Sequence, residues 1–200
     1  MPRFFALLLF LAIAPCAGCA FGTRNVNLTY EPPTAGRAAG SQGAIAVARF
    51  ADARAANPDS GSGAEVGQVR NGFGARTATV DANQDPVVWV GDSLARGLAA
   101  EGFRVERVDQ PGDAGELPVV TGAVSHIYAD MYMSIDAEVK ADISVERGGR
   151  RLFSTQCEGA DSATAWTASA DEFQSRLTGA MKEFVSTCVP RLMPYLEARR

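Results

Sequence analysis

The chain has 200 residues and a net charge of −4, with 46% hydrophobic and 21% charged residues. That length holds one ordinary domain plus additional terminal segments. The acidic balance, with no basic cluster beyond Arg150 and Arg151 at a turn and Arg199 and Arg200 at the terminus, weighs against a surface built to neutralise nucleic-acid phosphates, so no nucleic-acid partner is expected.

Residues 1–18 read as an export signal and are kept out of fold reasoning. Arg3 supplies the positive charge, and residues 4–14 form an uninterrupted apolar run. The run is about half of what a bilayer-spanning helix needs. Cys16, Ala17, Gly18 and Cys19 follow. Small residues before Cys19 suit cleavage there, with diacylglyceryl transfer to its thiol and acylation of its freed amine. Cys16 is the rival but follows Pro15, and an ordinary secretory signal without lipid is the other alternative. Several acyl chains would anchor stably, at about 0.8 kcal/mol per buried CH₂. Ala20, where an Asp would favour retention in the inner membrane, points to the periplasmic face of the outer membrane. The membrane, reached through this lipid, is the first expected partner; envelope proteins are the second.

Residues 19–43 read as a lipidated N-terminus and flexible tether, broken by Pro32, Pro33, Gly36, Gly40 and Gly43. Within it, residues 25–30 alternate weakly and could pair onto a sheet edge. A single periplasmic domain is expected over residues 44–200, starting with a strand at 44–50. Residues 51–64 read as a long polar loop. Residues 65–70 and 73–80 flank Asn71 and Gly72, a two-residue type I′ hairpin signal. Asp85 as cap, Pro86 at the first position and Gly102 past the end frame a helix. Its apolar face is Val87, Val90, Gly91, Leu94 and Leu98.

Residues 103–108 read as a strand, and 117–133 and 134–147 as two long ones. In the last, Ile135, Ala137, Val139, Ala141, Ile143 and Val145 alternate with Ser134, Asp136, Glu138, Lys140, Asp142, Ser144 and Glu146. One face in a core and one in water follows. Gly148 and Gly149 turn the chain into a strand over 150–157. A strict two-residue turn would put Phe153 on the wet face, so a bulge or longer turn is expected. A C-terminal helix starts near Ser169 with a capping box to Glu172. It carries Phe173, Leu177, Met181, Phe184 and Cys188 on one face and is interrupted at Pro190, with a short final piece over 192–196. The fold class that follows is α+β: a two-layer sandwich of a mostly antiparallel sheet with two helices on one face.

Once Cys16 leaves and Cys19 is lipidated, Cys157 and Cys188 remain as an even pair in an oxidising compartment, and a disulfide is expected. Two buried free thiols are the alternative. No CxxC exists and His126 is the only histidine, so neither a metal nor another cofactor is expected.

The segments VWVGDSLARGLAAEGFRV (88–105) and VVTGAVSHIYADMYMSIDAEVKADISVERGGRRLF (119–153), with the Cys19 motif, resemble the YajG family of bacterial lipoproteins. The carriers are a helix ending in a glycine–aromatic pair, then Tyr128-Ala129-Asp130, then Lys140-Ala141-Asp142-Ile143. The resemblance implies an envelope lipoprotein and assigns no catalytic residue. The 52–64 loop and the Cys157 and Cys188 pair depart from the simpler family pattern.

His126 sits mid-strand on the face shared with Val124, Tyr128 and Tyr132, and no GxSxG elbow supports a serine hydrolase. Asp130, Asp136, Glu138 and Asp142 read most simply as a solvated face; paired acid–base work needs two of them across a cleft. Tyr128, Met131 and Tyr132 form the candidate partner surface, because Tyr and Met suit adaptable contacts. The sequence therefore points to a non-enzymatic accessory or interaction module of the envelope. A lipoprotein binding a lipid or peptidoglycan fragment is the alternative, and an envelope hydrolase the third reading.

Overall fold

The computed structural model describes residues 22–33, 37–56, 61–165 and 167–197. The export signal and Cys19 lie outside the described residues, as do residues 57–60 of the expected loop.

Nine strands and two α-helices make up the described chain: β1 (Arg24–Val26), β2 (Ala44–Ala48), β3 (Ala51–Asp52), β4 (Glu65–Arg70), β5 (Arg76–Ala82), α1 (Pro86–Ala100), β6 (Arg104–Val108), β7 (Val119–Met131), β8 (Ser134–Arg147), β9 (Arg150–Thr164) and α2 (Ala170–Leu196). The long antiparallel β7–β8–β9 meander is the spine. On β8 the six expected inward residues are all buried, from Ile135 to Val145. The β8–β9 turn has two residues, with both glycines at positive φ. A bulge between Val145 and Glu146 then places Phe153 opposite Val145. Phe153 thus packs against the core and stacks on Tyr195, ring centroids 4.2 Å apart.

The sheet is mixed and curled, not mostly antiparallel. The reason lies at the free edge of β7. Three short strands share that edge in succession: β2, β3 and β4, all parallel to β7. β6 extends the sheet beyond β2, and β5 and β1 extend it beyond β4. Both helices contribute to one apolar cluster with the sheet and meet each other at Gly97, where a Cβ would lie 2.3 Å from Val185 Cγ1.

Local signals explain α1. The Asp85 side chain accepts hydrogen bonds from the Val87 and Val88 amides, Pro86 opens the helix, and Gly102 leaves it at φ +96°. Val87, Val90, Leu94 and Leu98 are buried. α2 opens on the expected box, with Ser169 and Glu172 each bonding the other's backbone N–H. It does not stop at Pro190; one helix runs through Pro190 and Pro194 to Leu196. Both prolines face solvent, where water can take up the carbonyls they leave unpaired. Leu192 and Leu196 continue the buried stripe beyond Cys188, and that burial holds the last turns in register.

Two other expectations change. The β4–β5 connection is a five-residue loop, with Arg70 paired to Arg76. Asn71 Oδ1 accepts from the amides of Phe73 and Ala75, and Gly74, not Gly72, takes positive φ. The Asn71 side chain thus replaces the backbone geometry of a type I′ turn. The second concerns the start of the expected tether. β1 pairs parallel to β5, as the weak alternation at 25–30 allowed, and Val26, Leu28 and Tyr30 are at most 4% exposed. The Gln84 side chain donates to Leu28 O, Arg96 to Tyr30 O and Thr178 to Thr29 O. This stretch belongs to the fold.

The expected 51–64 loop holds a buried cation. Arg54 is 1% exposed. It donates to both Asp52 carboxylate oxygens at 2.8 and 3.0 Å and to Gly63 O at 2.8 Å. These hydrogen bonds hold the Asp52 carboxyl below the usual carboxylate range, against partial desolvation. The pair therefore contributes stability above that range and loses it as pH falls through the lowered Asp52 titration. Asp52→Ala is expected to cost about 1–3 kcal/mol, because it strips a charged hydrogen-bond partner from a buried guanidinium. Urea unfolding at neutral pH and again near pH 3 checks it, with the gap between variant and parent closing at the acid end.

Candidate groove on the open face of the sheet

The second face of the β7–β8 spine carries the chemistry. In register across it stand His126 and Lys140, Tyr128 and Glu138, and Asp130 and Asp136; Ala160 and Ser162 of β9 continue the rows. All of these but Lys140, with Glu65, Gln68, Arg70 and Arg76 from the β4–β5 hairpin, line an open groove of about 1010 Å³. The groove lies on the face away from the helices because β8 alternates so regularly.

His126 reaches this face through a register shift. A bulge between Val124 and His126 sends Val124 into the core and leaves His126 beside Tyr128 outside. The expected sharing of one face by Val124 and His126 is therefore corrected. His126 Nε2 lies 3.6 Å from Glu138.

Most of the groove's charges are already engaged. Arg70 forms a two-point contact with Asp130 at 3.0 and 2.9 Å. Arg76 pairs with Glu65 at 2.8 Å, and Lys140 with Glu138 at 2.8 Å. Tyr128, 8% exposed, donates its hydroxyl to Glu65 Oε1 at 3.3 Å. Burial first, and the Glu65 charge second, push that phenol well above its usual titration, so it stays a donor. Asp136 differs. It stands opposite Asp130, an arrangement that repels, and it is held by the hydroxyls of Ser134 and Ser162. Carboxylates outnumber cations along the lining. Tyr128→Phe is expected to lower stability by about 1 kcal/mol, the net value of one hydrogen bond, read as a shifted urea midpoint with unchanged far-UV circular dichroism.

The three residues of the expected partner surface do not form one patch. Tyr128 floors the groove, Met131 packs toward the core, and Tyr132 lies at the β7–β8 tip, half-exposed, donating to Gly72 O at 3.1 Å. The expected disulfide is present: Cys157 on β9 and Cys188 on α2 are bonded, with Cα atoms 5.5 Å apart. Among the described residues no group of three or more His, Cys, Asp or Glu side chains is placed to hold a metal ion. Sequence reasoning missed Arg70, Arg76 and Glu65, because only the parallel docking of β4 on β7 brings that hairpin beside the spine.

A second, less polar cleft of about 660 Å³ lies between α1, α2 and the docked N-terminal segment. Tyr30, Pro33, Gly97, Val185, Val189 and Pro190 contribute its apolar wall. No helix among the described residues is long and apolar enough to cross a membrane.

No family model matches the chain, and no curated protein matches it by sequence. Solved structures share its fold. Protein XCC0632 of Xanthomonas campestris, placed in the DUF330 family, aligns with a TM-score of 0.61 at 12% identity, covering 85% of this chain and 95% of that one. Hypothetical protein CT253 of Chlamydia trachomatis aligns with a TM-score of 0.51 at 8% identity, covering 78% and 98%. Lipoprotein GNA1162 of Neisseria meningitidis is a more distant neighbour, with a TM-score of 0.38 at 12% identity, covering 76% and 98%. The first two alignments show the fold alone.

Proposed function

We propose that this chain is an envelope lipoprotein, anchored through Cys19 on the periplasmic face of the outer membrane, that acts without catalysis by holding a basic segment of a partner protein in the open groove. Asp136 carries the reading. It is a carboxylate with hydroxyl partners, facing a second carboxylate in a groove where acids outnumber bases. An incoming Lys or Arg would give Asp136 the opposite charge that Arg70, Arg76 and Lys140 give the neighbouring carboxylates. The neighbouring acids and bases are matched to one another, which suits recognition better than proton transfer. The likeness of residues 88–105 and 119–153 to YajG-family lipoproteins supports the same class.

The test is photo-crosslinking in living cells from Gln68 or Ser162 in the open groove, with Arg150 at the far turn as control. A discrete protein adduct from the groove positions, lost on Asp136→Lys, is expected. Equal adducts from Arg150, or adducts indifferent to Asp136→Lys, would defeat the reading.

The alternative, binding of a lipid or peptidoglycan fragment, is favoured by the cleft between the helices, whose wall is apolar where the groove is not. Native mass spectrometry of protein extracted from membranes separates the two: a bound small molecule displaced by Val185→Arg speaks for the cleft.

A further inference from the structure

The hairpin tips at one end of the sheet carry large apolar side chains that the fold leaves in water. Phe73, at the β4–β5 tip, is 97% exposed, and Met133, at the β7–β8 tip, is 76% exposed. Half-exposed Tyr132 bridges the two tips through its bond to Gly72 O. β4 runs parallel to β7, with Val69 opposite Met131, so both turns project from the same end. Isolated exposed apolar residues need no explanation, but a Phe, a Met and a Tyr on two linked tips do.

The course of the N-terminus says what covers them. β1 runs parallel to β5, with Arg24 opposite Val80 and Val26 opposite Ala82. Traced backwards, the chain moves toward Arg76 and the Phe73 loop, and Thr23 already lies beside Thr79. Cys19 is three residues before Gly22, a reach of roughly 10 Å at full extension. The Gly148 and Gly149 turn, at the opposite end of the sheet, lies roughly 40 Å away along the thirteen residues of β7. An anchor on Cys19 therefore holds the Phe73 end, and not the other, against the bilayer.

We infer that Phe73, Tyr132 and Met133 form a membrane-contact tip that inserts into the interfacial layer of the leaflet holding the lipid anchor, fixing how the domain stands on the membrane. This rests on the lipoprotein reading. Tyr settles at the headgroup level, and Phe suits the apolar side of the boundary between headgroups and acyl chains. The groove, on the sheet's open face, would then stand upright to the membrane and open sideways, accessible to a partner in the periplasm.

The test uses the full lipidated protein, purified and reconstituted into phosphatidylethanolamine and phosphatidylglycerol vesicles. With Cys157 and Cys188 bonded to each other, Met133→Cys and, separately, Arg150→Cys accept one polarity-sensitive fluorophore. The label at 133 is expected to shift to the blue and lose most of its emission to lipids with a headgroup-level nitroxide, while the label at 150 does neither. Phe73→Ser is expected to reduce the quenching at 133. Unquenched emission at 133, a blue shift without lipid quenching (a second copy covering the tip), or quenching indifferent to Phe73→Ser would each overturn the inference. Failure of the parent reading looks different: Cys19→Ala would leave the protein on the membrane, or the intact mass of the mature chain would lack acyl groups.

Discussion

Removing both Cys157 and Cys188 as Ala is expected to lower stability by about 3–4 kcal/mol, the chain-entropy value for a loop of this length. The two cysteines are 31 residues apart, and both are fully buried. Their bond ties the middle of β9 to the last third of α2. The value is a large share of what holds a domain of this size, about 5–15 kcal/mol. Secondary structure should survive, because Phe173, Leu177, Met181 and Phe184 still bury the helix. Urea unfolding with and without reductant checks it: reductant should move the parent midpoint to that of the double variant and leave the variant unmoved. If reductant leaves the parent unmoved, the bond contributes nothing to the equilibrium.

Where one physical rule decided an element, the sequence was readable. β8 has an unbroken period of two, and every inward residue is buried. α1 carries its own start and stop in Asp85, Pro86 and Gly102. The disulfide was expected from the cysteine number and from the oxidising compartment that the N-terminal motif implies. What stayed hidden depends on neighbours distant in sequence. Parallel docking of β2, β3 and β4 on a single edge leaves no local trace, so the sheet read as mostly antiparallel. The bulge before His126 shifts an otherwise regular strand by one residue, and only the pairing with β8 shows it. Pro190 is a breaker by local rules, and the stripe it interrupts overrules it. The groove was half-legible: Asp130, Asp136 and Glu138 were visible as one strand-face pattern, whereas Glu65, Arg70 and Arg76 arrive from a hairpin sixty residues away.

Gly159→Ala is expected to cost about 3 kcal/mol, at the upper end for an added methyl in a packed site, because the obstacle is backbone. A Cβ there would lie 2.2 Å from the Phe184 amide nitrogen and 2.3 Å from Ala180 O. A side chain could rotate away, but here α2 itself must move. It is held on both sides of the contact. Two residues earlier on β9, Cys157 is bonded to Cys188; two residues later, Asp161 pairs with Arg176 at 3.1 Å. The same helix covers the outer edge of β9, which among the described strands pairs with β8 alone. Glu183 accepts from the Ala160 amide, Thr187 donates to Glu158 O, and Arg191 to Gln156 O. A displaced helix would uncover that edge, the usual template for association with other chains. Gly159→Ala should therefore speed hydrogen exchange at Ala160 as well as lower the urea midpoint. Combined with the double cysteine variant, its cost should be less than additive, since a helix freed from Cys157 can tilt away from the new methyl. Strict additivity would mean that the disulfide does not hold α2 against the strand.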